Sequence, residues 1–142
     1  MDADAPRTAM NDPVLRLALY WRSADLMRAH VDELRAPPYG LERVIEDGEF
    51  WRYHAYLTAW LGGLYVVAEG FTKLGLADDA VEALIAEHGD SLRRFRNAIY
   101  HFEMDAERQL QFLRGPPSHL NGAVALHAAL RVFLLRHAAA VS

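Results

Sequence analysis

An arginine and a histidine in the second half of the chain have side chains suited to phosphate chemistry. Arg96 and His101 are separated by four residues, and Asn97 follows the arginine directly. Arginine carries a permanent planar cation that matches phosphate, and histidine exchanges a proton near neutral pH. In metal-free RNA cleavage a base takes the proton of the ribose 2′-hydroxyl, and positive charge stabilises the phosphoryl oxygens. His101 and Arg96 could fill these two roles.

The expected local structure qualifies that chemistry. On one unbroken helix the two side chains point roughly 140° apart, because five steps of about 100° separate them. A helix end near Tyr100, followed by a new helix capped by Asp105, would let them converge. A second copy of the chain would also supply the missing partner, and both solutions stay open.

Residues 92–102 read LRRFRNAIYHF and resemble the signature of the HEPN superfamily, the higher eukaryote and prokaryote nucleotide-binding domains. In that signature an arginine, often followed by asparagine, precedes a histidine by four to six residues, as Arg96, Asn97 and His101 do here. The resemblance implies an antiparallel helical bundle that commonly dimerises. Many members are metal-independent ribonucleases of toxin–antitoxin or phage-defence systems, and others bind nucleotides or proteins without catalysis.

The resemblance also implies roles for individual residues. Arg96 and His101 would be catalytic, and Asn97 would orient the histidine or the phosphate. Some members place a polar residue late in the second long helix, where this chain has Glu69. The remaining substrate-binding candidates flank the motif, and they are Arg93, Arg94 and Tyr100. The implied partners are RNA or a nucleotide, a second copy of the chain and a cognate antitoxin, and no cofactor is expected.

Composition limits the alternatives. The chain has 142 residues, 52% hydrophobic and 24% charged, which suits a single globular domain over residues 12–142 after a flexible leader at 1–11. The absence of cysteine excludes disulfides, thiolate metal sites and cysteine nucleophiles, and no His-Glu-x-x-His pair indicates a metal. We expect a cytoplasmic protein without a membrane segment. Because the net charge is -4, a nucleic-acid site has to be a local patch.

Apolar residues at helical spacing predict an all-α, antiparallel up-and-down bundle of five or six helices. Prolines, glycines and capping residues mark the predicted ends. The predicted segments are about 13–35, 41–74, 78–88, 90–100, 105–115 and 118–140. A stripe of small residues in the second segment (Ala59, Gly62, Gly63, Val66 and Gly70) predicts close approach of another helix, within the chain or across a dimer.

Ordinary structural roles stay open for the same residues. Arg96 would then be a surface arginine paired with an acid, and His101 would cap a helix end. Glu69 would form a salt bridge. We interpret His127 and His137 as hydrogen-bonded core histidines. An aromatic group is likewise assigned to the core or an interface rather than to base stacking, and it comprises Phe50, Trp51, Tyr53, Tyr56 and Trp60.

Overall fold

The structure, a computed structural model, describes residues 11–34, 48–100 and 118–141. These residues form four α-helices, and no strand occurs among them, so the predicted all-helical class is confirmed. The helices are α1 (Pro13–Glu33), α2 (Gly48–Lys73), α3 (Asp79–Tyr100) and α4 (Ser118–Val141). The predicted helix at 105–115 and the predicted helical residues 41–47 lie outside the described residues.

Capping side chains and one glycine define the ends of α1, α2 and α3. Asp12 accepts a hydrogen bond from the backbone N–H of Val14 at 2.8 Å, with Pro13 in the first turn of α1. Gly75 closes α2 at φ +64°, a backbone conformation that glycine adopts without steric cost. Asp78 then accepts from the N–H of Val81 at 3.0 Å and begins α3. These ends agree with the prediction.

The predicted interruption of α3 at His88-Gly89 is wrong, because α3 runs unbroken from Asp79 to Tyr100. Asp90 does not cap a new helix. It forms ion pairs with Arg93 at 2.8 Å and Arg94 at 3.0 Å, which lie one turn further along the same helix. Buried Val81 and Phe95, on either side of Gly89, hold both halves of α3 in one core. The packing of both halves outweighs the helix propensity that one glycine loses.

The small-residue stripe of α2 is used inside the chain. A Cβ at Gly63 would lie 3.2 Å from the Cβ of Ala24, and one at Gly70 would meet Leu17. Because rising residue numbers on α2 match falling numbers on α1, these two helices run in opposite directions. The stripe therefore lets α1 approach α2 closely, and it gives no separate indication of a dimer.

Each helix packs against the next one in the chain, and α4 also packs against α1. The buried core draws on all four helices, with Trp21 from α1, Leu64 from α2 and Phe95 from α3. In α4, Leu126 and Leu130 are fully buried as predicted, whereas Val124 is 38% exposed and does not face inward.

By length and apolar composition, α4 is the one helix among the described residues that would suffice to cross a membrane, over His119–Val141. Core helices of soluble proteins pass the same test, and α4 contributes Leu126 and Leu130 to the core. The absence of a membrane segment therefore stays a prediction.

Candidate functional site

The motif residues that the structure describes lie in the last two turns of α3. Arg96 and Asn97 are half-buried there, and Tyr100 is the last residue of the helix. His101 lies outside the described residues. The predicted convergence of Arg96 and His101 therefore stays a prediction, and the site has to be built from Arg96.

Arg96 is held across the α2/α3 interface by an aromatic ring. Its guanidinium carbon lies 5.5 Å from the centre of the Tyr65 ring on α2, within the range of a cation–π interaction. Its Nη1 donates a long hydrogen bond of 3.4 Å to the side chain of Asn97. The Nε donor of Arg96 is fully buried and has no hydrogen-bond partner among the described residues. Because most buried donors in proteins are paired, the surroundings leave this guanidinium incompletely satisfied.

Glu69 lies one turn beyond Tyr65 on α2 and carries the negative charge of this region. Its carboxylate pairs with Lys73 at 2.5 Å. The hydrogen bond from Lys73 lowers the pKa of Glu69, and the charge of Arg96 acts in the same direction. Burial raises the pKa of Tyr65, and the Glu69 charge adds to that effect. At neutral pH the carboxylate is therefore charged, and the phenol keeps its proton.

We call Tyr65, Glu69, Lys73, Arg93 and Arg96 the Arg96 cluster. On α2 its members are spaced by four residues and on α3 by three, so each set lies on one helix face. All of them except Arg96 line a groove of about 480 Å³ between α2 and α3. The floor of this groove includes the apolar side chains of Ala68 and Ile85. Arg96 lies beside the groove, against Tyr65.

Positive charge exceeds negative charge around the groove. Three cations lie in this region, Lys73, Arg93 and Arg96, together with two carboxylates, Glu69 and Asp90. A hydrogen bond from Arg93 lowers the pKa of Asp90. The region therefore carries a local positive charge in a chain whose net charge is -4. Such a local patch is what an anion site in this acidic chain requires.

Two predicted substrate-binding residues lie outside the groove. Arg94 is exposed and paired with Asp90. Tyr100 is 60% exposed, and its ring crosses Gly62, where a Cβ would lie 2.9 Å from the Tyr100 Cε2. The structure thus brings Glu69, Arg93 and Arg96 together and leaves Arg94 and Tyr100 apart from them.

The sequence interpretation missed two members of the Arg96 cluster, Tyr65 and Lys73. Both lie four residues from Glu69 on α2, one on each side. That spacing places them on the same helix face and would have signalled them as neighbours of Glu69.

No protein-family model, curated protein or solved structure matches this chain. Within residues 11–34, 48–100 and 118–141, no three His, Cys, Asp or Glu side chains are grouped so as to hold a metal ion. The functional interpretation therefore depends on the geometry of the chain itself.

A second set of hydrogen-bonded side chains surrounds the buried His127. We call it the His127 cluster, and it comprises Trp21, Asp25, Trp60 and His127. The imidazole of His127 is 2% exposed. Its Nδ1 accepts from Trp60 Nε1 at 3.3 Å, and its Nε2 lies 3.0 Å from Asp25 Oδ1. The backbone carbonyl of His127 accepts from Trp21 Nε1 at 3.1 Å.

These contacts determine the protonation of His127. Because Nδ1 accepts a hydrogen bond, the single proton of the neutral ring lies on Nε2 and is donated to Asp25. Burial lowers the pKa of His127, and the hydrogen bond to Asp25 opposes this only in part. Partial burial raises the pKa of Asp25, but its bonds and charge interactions with His127 and Arg22 outweigh burial and lower it overall. His127 is thus a neutral core histidine with both ring nitrogens occupied.

The interpretation of His127 as a hydrogen-bonded core residue is confirmed. His137 differs, because it is partly exposed and bonds to Asp12, the residue that caps α1, at 2.9 Å. Trp60 belongs to the core, as predicted, whereas Trp51 is 47% exposed.

Trp21 and Asp25 of the His127 cluster line a groove as well, but both are hydrogen-bonded to His127 within the cluster. The Arg96 cluster is the better candidate for a ligand site, because it holds a donor without a partner among the described residues beside its groove.

Proposed function

We propose that this chain is a HEPN-like, metal-independent endoribonuclease that binds the RNA phosphate at the Arg96 cluster. The observation that carries the proposal is Arg96 itself, a permanent cation that lies beside an open groove. The buried Nε of Arg96 has no hydrogen-bond partner among the described residues. Phosphate oxygens accept strong hydrogen bonds from guanidinium groups. Arg93 and Lys73 add positive charge along the same groove.

In the proposed reaction His101 removes the proton of a ribose 2′-hydroxyl, and the 2′-oxygen attacks the adjacent phosphorus. The bond from phosphorus to the 5′-oxygen breaks, that oxygen takes a proton from water, and the hydroxide left behind takes up the proton held by His101. The products are a 2′,3′-cyclic phosphate and a free 5′-hydroxyl. Arg96 and Arg93 stabilise the charge that builds up on the phosphoryl oxygens.

We infer that the substrate is single-stranded. The groove of about 480 Å³ lies between two helices and has an apolar floor with charged groups at its edge. An unpaired nucleotide can enter such a groove, whereas the bases of a duplex stay stacked within the helix.

The proposal includes three further elements of the family resemblance: an up-and-down bundle, a homodimer and a cognate antitoxin in the cytoplasm. The opposite directions of α1 and α2 support the first. The other two depend on the resemblance alone.

A specific observation favours a second function, non-catalytic binding of RNA or a nucleotide. In the Arg96 cluster the pKa of Glu69 is lowered and the pKa values of Tyr65 and Lys73 are raised. These three groups thus keep their neutral-pH protonation states, and proton transfer falls to His101. Without a contribution from His101, the cluster would bind phosphate and leave it intact.

Incubation of the purified full chain with single-stranded RNA in EDTA separates the two functions. The proposal predicts fragments that end in a 2′,3′-cyclic phosphate, no cleavage by His101→Ala and reduced cleavage by Arg96→Met. The matched control is His30→Ala on α1, which should cleave like the unmodified chain. Cleavage that survives His101→Ala would overturn the nuclease assignment, binding without cleavage would select the second function, and neither binding nor cleavage would reject both.

A further inference from the structure

The aromatic ring of Tyr65 lies against the guanidinium group of Arg96. We propose that Tyr65 is the positioning residue of the phosphate site and that it holds Arg96 through its ring. This inference depends on the proposed function, because it assigns to Tyr65 the task of presenting the phosphate-binding cation.

The contacts of Arg96 single out the ring. Among the described residues, Arg96 has no ion pair within 4.0 Å, and its bond to Asn97 is long at 3.4 Å. The Tyr65 ring, at 5.5 Å from the guanidinium carbon, is the contact that remains to hold the charged group in place. A ring face attracts a cation without occupying the N–H donors at its edge. The Nη donors of Arg96 that do not bond to Asn97 therefore stay available to phosphate, whereas Nε is buried.

Glu69 completes the arrangement. Its carboxylate is engaged by Lys73, which lies on the same helix. The carboxylate therefore attracts Arg96 through charge and does not bind it in a direct ion pair. A bidentate pair between Glu69 and Arg96 would occupy the donors that phosphate needs. The ion pair with Lys73 thus engages the acid that would otherwise compete with phosphate for Arg96.

Variants of Tyr65 separate its ring from its hydroxyl. The measurement is fluorescence anisotropy with single-stranded 2′-O-methyl RNA, which lacks the attacking hydroxyl and is not consumed. Tyr65→Leu removes the ring, and we expect binding about tenfold weaker. Tyr65→Phe and Tyr65→Trp keep a ring, and both should bind within about threefold of the unmodified chain. The matched control is Tyr20→Leu on α1, where the tyrosine is 58% exposed, and its affinity should not change.

A double variant tests whether Tyr65 acts through Arg96. If it does, adding Tyr65→Leu to Arg96→Met weakens binding no further, because the effects of coupled residues are not additive. Each single variant should also reduce the slope of log affinity against log salt by about 0.7, the value for one lost phosphate contact on a single strand. A general loss of packing would produce neither result. Should Tyr65→Leu fold poorly by circular dichroism, Tyr65→Met removes the same ring with a flexible side chain.

The outcomes distinguish this inference from the proposed function. If the unmodified chain binds RNA, Arg96→Met weakens binding and Tyr65→Leu does not, the positioning role is wrong and the phosphate site stands. Independent effects that multiply in the double variant would also overturn it. If the unmodified chain binds no RNA, or Arg96→Met binds as tightly, the proposed function fails and the role of Tyr65 fails with it.

Discussion

The His127 cluster and the Arg96 cluster both bring polar side chains from neighbouring helices together, but they differ in how completely those groups are satisfied. In the His127 cluster both ring nitrogens and the backbone carbonyl of His127 have partners, and the imidazole is almost fully buried. In the Arg96 cluster the Nε of Arg96 has no hydrogen-bond partner within the part of the chain that the structure describes, and most of the residues line an open groove.

This difference separates a structural role from a binding role. A buried network in which every donor and acceptor has a hydrogen-bond partner stabilises one packing of the helices. Removing one member leaves its partners buried without a hydrogen bond, which lowers the free energy of unfolding. An incompletely satisfied cation beside a groove gains little from the fold itself and can gain more from a ligand. Changes in the first region should therefore lower stability, and changes in the second should lower affinity.

The largest effect on stability is expected from His127→Ala. The substitution leaves a cavity and removes the partners of Trp60 and Asp25, so the free energy of unfolding should fall by about 3 kcal/mol. Urea denaturation measures this. The control His30→Ala removes a side chain that is 46% exposed and stacks on Tyr56, and it should change the free energy of unfolding by about 1 kcal/mol or less. If His127→Ala is as stable as the unmodified chain, the proposed structural role of this cluster is wrong.

Two adjacent glycines should respond to alanine with opposite signs. At Gly63 the new Cβ would lie 3.2 Å from the Cβ and 3.6 Å from the Cα of Ala24, and that backbone cannot move aside easily. We expect Gly63→Ala to destabilise the protein by about 1 kcal/mol despite its higher helix propensity. At Gly62 the neighbour is the exposed ring of Tyr100, which can rotate away, so Gly62→Ala should stabilise it by about 0.5 kcal/mol. Thermal unfolding checks both, and equal shifts would contradict the packing described for α1 and α2.

Acid should weaken the fold through His127. The folded state lowers the pKa of this histidine below its ordinary value of 6.5, so the unfolded chain takes up the proton first as the pH falls. The contribution is complete above pH 6.5 and is lost as the pH falls towards the folded-state pKa. Burial lowers the pKa of His54 too, so it acts in the same direction.

Denaturation at pH 7.5 and pH 5.5 measures this loss of stability. The non-titrating variant His127→Gln should show a smaller difference between the two pH values than the unmodified chain. An identical difference would assign the pH dependence to other groups.

Arg96→Met should change stability far less than His127→Ala does. Methionine keeps much of the apolar stem and removes a buried donor that has no partner, so these effects offset each other to within about 1 kcal/mol. Thermal unfolding provides the comparison with His127→Ala. A loss as large as that of His127→Ala would show that Arg96 is a structural residue.

Local patterns predicted most of the fold. Asp12, Gly75 and Asp78 identified helix ends because capping chemistry involves residues close together in the sequence. Gly89 misled the prediction because the packing of α3 on both sides of it involves other helices. Val124 lies on the exposed side of α4 for a similar reason, since periodicity alone does not determine how far an apolar face extends.

The candidate site was predicted in part. The motif and its family resemblance identified Arg93, Arg96 and Glu69, which the structure brings to one interface. The ring contact of Tyr65 with Arg96 depends on the register between α2 and α3, which no spacing within one helix contains. The same register separates Tyr100 from the groove and places it on Gly62.

The most direct test of the account is the affinity of the purified chain for single-stranded 2′-O-methyl RNA in EDTA, compared with Arg96→Met and with Arg131→Met as the matched control. Arg131 is exposed on α4 and lies outside the Arg96 cluster. We predict saturable binding by the unmodified chain and by Arg131→Met, and binding at least about tenfold weaker by Arg96→Met. Equal affinity of all three proteins, or no binding by any of them, would contradict the account.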